Sequence, residues 1–195
     1  MDFGEFLGTI TTVDLLLVLY FIGFFVLGFA QGTIRRLLGI ASILFSWFLA
    51  ANLVETLAGF LGANWTQFSR EYSAMVGFLI VFVGASIAFA LVIQGFYKPQ
   101  PLFQKARFAD EIIGGILGLI QAAIILGAIL IILDSFFRIP GIPENPNELP
   151  FLRDIWNALD GTEIVQIFRD TLIPVFFLVT GFLVPDDIEA AYPLD

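Results

Sequence analysis

Long uncharged runs separated by short polar breaks dominate this chain. Residues 15–34, 37–54, 72–97 and 112–133 carry no Asp, Glu, Lys or Arg. A bilayer core of about 30 Å takes roughly 20 helical residues, so each run is long enough to cross it. Backbone polar groups in lipid must be satisfied within the segment, so the runs should be helices. The pattern predicts an all-α polytopic membrane protein with four transmembrane helices, at about 13–33, 37–60, 73–97 and 112–134. Residues 1–137 then form one transmembrane domain. The leading segment carries Asp2 and Glu5 in place of basic residues, and its apolar run exceeds a signal core. The first helix is therefore expected to stay in the mature protein.

The pattern changes after Asp134. Pro140, Pro143, Pro146 and Pro150 mark an extended connector. Leu152, Ile155, Trp156 and Leu159 then recur at helical spacing, and Ile164, Ile167 and Phe168 repeat the pattern after Gly161. One or two amphipathic helices are expected there. A fifth uncharged run, 172–185, is short for a span and begins near Pro174, so an interfacial or re-entrant segment is expected. Residues 138–195 thus read as a Pro-rich connector and an acidic amphipathic tail. The tail's polar face carries Arg153, Asp154 and Asp160, which favours docking on protein over anionic lipid.

Composition narrows the chemistry. Of 195 residues, 58% are hydrophobic, and mean hydropathy is +0.93. The chain has no His and no Cys, which removes imidazole and thiolate chemistry. No catalytic residue, metal or cofactor is expected. A net charge of −9 argues against nucleic acid as a partner. The lipid bilayer is the expected partner, with self-association or contact with secretion or envelope membrane proteins as the further classes.

Basic residues near helix ends set orientation. Arg35 and Arg36 follow the first run, and Lys98, Lys105 and Arg107 follow the third. The expectation is cytoplasmic first and third loops, with the N-terminus and the tail outside. Arg35 and Arg36 are expected to continue the first helix and meet headgroups. A genuine fifth span would instead bring Asp186, Asp187 and Glu189 inside.

Small residues are the clearest packing signal. Gly114, Gly118 and Ala122 share one face of the fourth helix, and Gly28 and Gly32 repeat the spacing on the first. Such faces let backbones approach within a bundle or between two copies. Polar groups at or near spans are few: Asp14, Gln31, Asn52, Glu55, Gln94, Gln121 and Asp134. Asp14, Glu55 and Asp134 share the outer end in this topology, either as interfacial caps or as an acidic vestibule for a cation or substrate. Gln121, the deepest, suits one interhelical hydrogen bond. Asp110 and Glu111 suit the N-terminal dipole of the fourth helix. Trp65 and Trp156 suit interface anchors.

Read in order, Asp14 before an apolar run, then Gly28-Phe29-Ala30-Gln31-Gly32-Thr33-Ile34-Arg35, Asp110, and Gly114-Gly115-Ile116-Leu117-Gly118-Leu119-Ile120-Gln121-Ala122, the chain resembles the colicin V production (CvpA) family. The resemblance covers roughly residues 12–137. The family usually has Arg-Gly at Gln31-Gly32, often Asp-Arg at Asp110-Glu111, and Arg-Gly at Gln121-Ala122. The resemblance implies a bacterial inner-membrane protein without catalytic residues, needed for peptide toxin production or export and for envelope homeostasis. The competing reading of the residues is a small oligomeric transporter or channel. An intramembrane enzyme is disfavoured, because no paired carboxylates fall inside the spans.

Overall fold

The computed structural model describes residues 11–97, 107–138 and 148–180, with side chains up to Phe177. Within them lie four helices long and apolar enough to cross a membrane, and no strand. They are α1 (Thr12–Gln31), α2 (Thr33–Asn64), α3 (Arg70–Phe96) and α4 (Arg107–Phe137), followed by α5 (Pro150–Asp160). A continuous helical stretch then runs through α6 (Glu163–Ile167), a π-helical turn (Phe168–Leu172) and α7 (Ile173–Thr180).

The helices alternate in direction, and α4 is central. It packs against α1, α2 and α3, while α2 and α3 form a hairpin. Gly28 faces Gly114, and Phe24 faces Gly118, so α1 runs antiparallel to α4. Trp47 of α2 fills the space against Phe78 and Phe82 of α3. The lipid-facing sides expose Leu15, Leu16, Leu19 and Ile22 of α1 and Ile116 and Ile120 of α4. Acyl chains are a suitable environment for them.

Helix lengths explain the position of the tail. The 20 residues of α1 span about 30 Å, one bilayer core. By the register of the α1–α4 contact, Asp14 lies level with Ala128. α4 continues to Phe137, about 13 Å further. That leaves a step above the start of α1, and residues 148–177 occupy it. The Leu149 amide donates to the Tyr72 hydroxyl at 2.9 Å. Leu152 is buried, and Trp156 packs on Phe137.

Several expectations change here. The first helix stops at Gln31, and Gly32 alone separates it from α2, with φ +76°. Glycine adopts that left-handed backbone without the penalty a Cβ brings. Arg35 and Arg36 therefore belong to the first turns of α2 and do not continue α1. The run starting at Leu172 is not interfacial as far as it is described. Ile173 and Phe177 are buried, and the Phe176 ring lies 5.3 Å from Trp47, well inside α2. The segment enters the bundle. The π turn precedes Pro174, which has no N–H and clashes with the preceding turn of an α-helix; the wider turn accommodates it. Lys98, Lys105, three of the connector prolines and residues 181–195 lie outside the described residues.

Candidate functional site

The buried polar groups collect at the two ends of the bundle, with a glycine seam between them. At the tail end, Asp134 is fully buried. Arg169 approaches it side-on: Nε donates to Oδ2 at 2.9 Å and Nη2 to Oδ1 at 2.8 Å. Trp156 Nε1 adds a third donor to Oδ1 at 2.7 Å. The remaining Arg169 nitrogen, Nη1, pairs with Asp160. Such a fork matches a carboxylate in geometry as well as charge. A buried charge needs this degree of pairing to be tolerated.

Asp14 sits nearby in a different role. Thr11 N and Oγ1 donate to its Oδ2 at 2.9 and 2.8 Å, and its own amide donates to Thr11 Oγ1 at 3.1 Å. This is a reciprocal capping box at the start of α1. The Ile164 amide makes a long 3.4 Å contact to Asp14 Oδ1. Asp14 is thus a cap, Asp134 an ion-pair partner, and Glu55 is exposed on α2. The three acids do not form one vestibule, because the tail has claimed two of them. Trp156 is a donor within the protein and not an interface anchor.

At the opposite end, the Thr33 hydroxyl donates to the Asp110 carbonyl at 3.1 Å, tying the start of α2 to that of α4. Asp110 is buried with its carboxylate against Gly32; a Cβ on Gly32 would lie 2.5 Å from Oδ2. Arg36 is 5% exposed and turns inward, away from headgroup level. Its Nη1 donates to Gln121 Oε1 at 2.8 Å, and its guanidinium lies 5.7 Å from the Phe24 ring centre. Gln121 thus makes an interhelical bond, across to α2. Arg35 and Gln31 are only partly buried, and Glu111 pairs with Arg107 on the surface at 2.9 Å.

Between these ends, Gly28, Gly32, Gly114 and Gly118 lie in one intrachain seam. A Cβ on Gly114 would fall 2.5 Å from the Gly28 carbonyl oxygen and 2.8 Å from the Gly32 carbonyl carbon. Backbone meets backbone here without side chains intervening, which only glycine permits. Ala122 is fully buried, and its carbonyl accepts from Tyr20 Oη at 3.0 Å.

A family model described as Colicin V production protein matches residues 13–168. The chain belongs to the colicin V production family. The match runs beyond the four-helix region expected from the motifs, through α5 and into the π turn, so this family segment includes Trp156 and Asp160. No curated protein and no solved structure matches the chain. Among the described residues of this family member, no group of three Asp or Glu side chains converges as a metal site would require.

The sequence did not single out Arg169, Arg36 or Tyr72. Arg169 left one readable sign. Val165, Arg169, Ile173 and Phe177 recur every four residues, and all four are buried. A lone arginine in an apolar column needs a carboxylate elsewhere in the chain.

Proposed function

We propose that this protein is a non-enzymatic scaffold of the bacterial plasma membrane that supports peptide toxin production or export, or envelope upkeep. The observation carrying this reading is the way the bundle uses its interior. Trp47, Phe78, Leu130, Ile131 and Ile132 fill it, and the deepest carboxylate is held by the chain's own Arg169 and Trp156. A single chain packed in this way offers surfaces more than a path. The family's description supplies the link to toxin production. Charge bias supports a cytoplasmic Gly32 end, since Arg35, Arg36 and Arg107 cluster there, with the tail on the outer face.

The test is genetic and biochemical together. In a toxin-producing strain, deleting the gene should reduce secreted peptide without changing its transcription, and the wild-type chain should restore it. Purified protein in liposomes should pass no ions. Ion flux from the reconstituted chain would favour the channel reading and overturn the scaffold.

A further inference from the structure

Arg36 and Arg169 are both buried arginines, yet they use their guanidinium edges differently. Arg169 places Nε and Nη2 on the two oxygens of Asp134. In Arg36 only Nη1 is engaged, by the neutral Gln121 amide. Its Nε is buried without a hydrogen-bond partner, and Nη2 makes no bond within the chain. Among the described residues no carboxylate is paired with it, and the charge acting on it is Arg35, of the same sign. The Nε–Nη2 edge is the side-on fork that grips oxyanions. A guanidinium buried with an amide as its only partner is costly unless an anion completes it.

Position identifies the anion. Arg36 lies one turn into α2, just past Gly32, where the 20-residue α1 ends after about one bilayer core. That depth adjoins the phosphate layer. The neighbouring Leu37 and Leu38 are exposed toward lipid. We propose that the Nε–Nη2 edge of Arg36 binds the phosphate of an anionic phospholipid, lodged between the ends of α1, α2 and α4. The site needs only that the helices span a bilayer. It depends neither on the scaffold role nor on which end is cytoplasmic.

The full-length chain, delipidated in a neutral detergent, is titrated with phosphatidylglycerol, with phosphatidylcholine and with inorganic phosphate. Thermal unfolding and native mass spectrometry are read together. Phosphatidylglycerol should raise the midpoint by about 3–6 °C at ten times its dissociation constant, with one lipid retained. Phosphatidylcholine and inorganic phosphate should do neither. R35Q should behave as wild type, because Arg35 stands for general surface charge. R36Q should lose both the shift and the retained lipid. Q121E is the second variant, since it gives Arg36 an internal carboxylate of nearly the same shape. It should be more stable than wild type without lipid and should retain none. Equal retention by wild type and Q121E would overturn the site. So would an equal shift with phosphatidylcholine, while an equal shift with inorganic phosphate would assign the edge to a free oxyanion and overturn the lipid.

Discussion

Arg169 and Asp134 lie 35 positions apart in sequence and meet through two parallel hydrogen bonds of 2.9 and 2.8 Å, both side chains almost wholly withdrawn from solvent. The pair joins the π turn of the tail to the last turns of α4. Breaking a buried pair from one side strands a charge and costs about 3–5 kcal/mol, whereas replacing both partners with apolar groups is often neutral. Asp134→Leu and Arg169→Met should each lower the unfolding midpoint sharply in detergent, and the double variant should recover most of the loss. A double variant no better than the worse single one would show that the two residues act separately.

The tail's docking face can be separated from its amphipathic pattern. Leu152 is 5% exposed and Ile155 is 46% exposed, although both sit on the expected apolar stripe. Leu152→Ala should destabilise by about 2–5 kcal/mol and speed proteolysis after α5. Ile155→Ala should stay within about 0.5 kcal/mol. Equal sensitivity of the two variants would mean that the stripe lies on lipid.

The four helices were legible because crossing a bilayer needs only length and apolarity, and both are written locally. The glycine faces were legible for a related reason, since i, i+4 spacing is a property of one helix. The pairing of Asp134 with Arg169 was not legible, because it depends on how the tail folds back across 35 residues, and no period encodes that. The inward turn of Arg36 was hidden by a boundary one residue wide. With α1 extended through Arg35 and Arg36, both arginines seemed to lie on the surface. Starting α2 at Thr33 rotates Arg36 onto the face that meets Gln121. The apolar run after Leu172 was visible, but its destination against Trp47 was not, because an apolar segment suits a bundle interior as well as a membrane surface.

Orientation follows from the same geometry and has a direct test. The chain lacks native cysteine, so single introduced thiols report without background. Asn64 is exposed at the tail end, and the Arg107 side chain is 83% exposed at the Gly32 end. Thr33 is a poor probe, because it is buried whichever side it faces. An impermeant maleimide should label Asn64→Cys in intact spheroplasts and label Arg107→Cys only after lysis. The reverse pattern would place the basic end outside and contradict the charge rule.

The glycine seam offers a matched pair on one helix. Gly118 and Gly127 both lie on α4 and both are buried. A Cβ on Gly118 would run into the Phe24 carbonyl, with the Phe24 carbonyl carbon at 3.0 Å and Gly28 Cα at 3.4 Å. A Cβ on Gly127 would meet nothing within 4 Å. The same substitution should therefore have opposite signs. Gly127→Ala gains helix propensity and should stabilise by up to about 1 kcal/mol. Gly118→Ala gains the same propensity but must push α1 away from α4, and backbone cannot yield as a flexible side chain does. Over-packing of this kind costs typically about 1–3 kcal/mol, and Gly118→Leu should cost more. Truncating Leu126 is not a clean control, because that side chain is itself buried and its loss opens a cavity. Gly127 is the better reference. Thermal unfolding of the two alanine variants, with size-exclusion chromatography of each, reads the comparison. A Gly118→Ala chain that keeps wild-type stability but changes only its oligomeric state would move the seam from within the chain to between two copies.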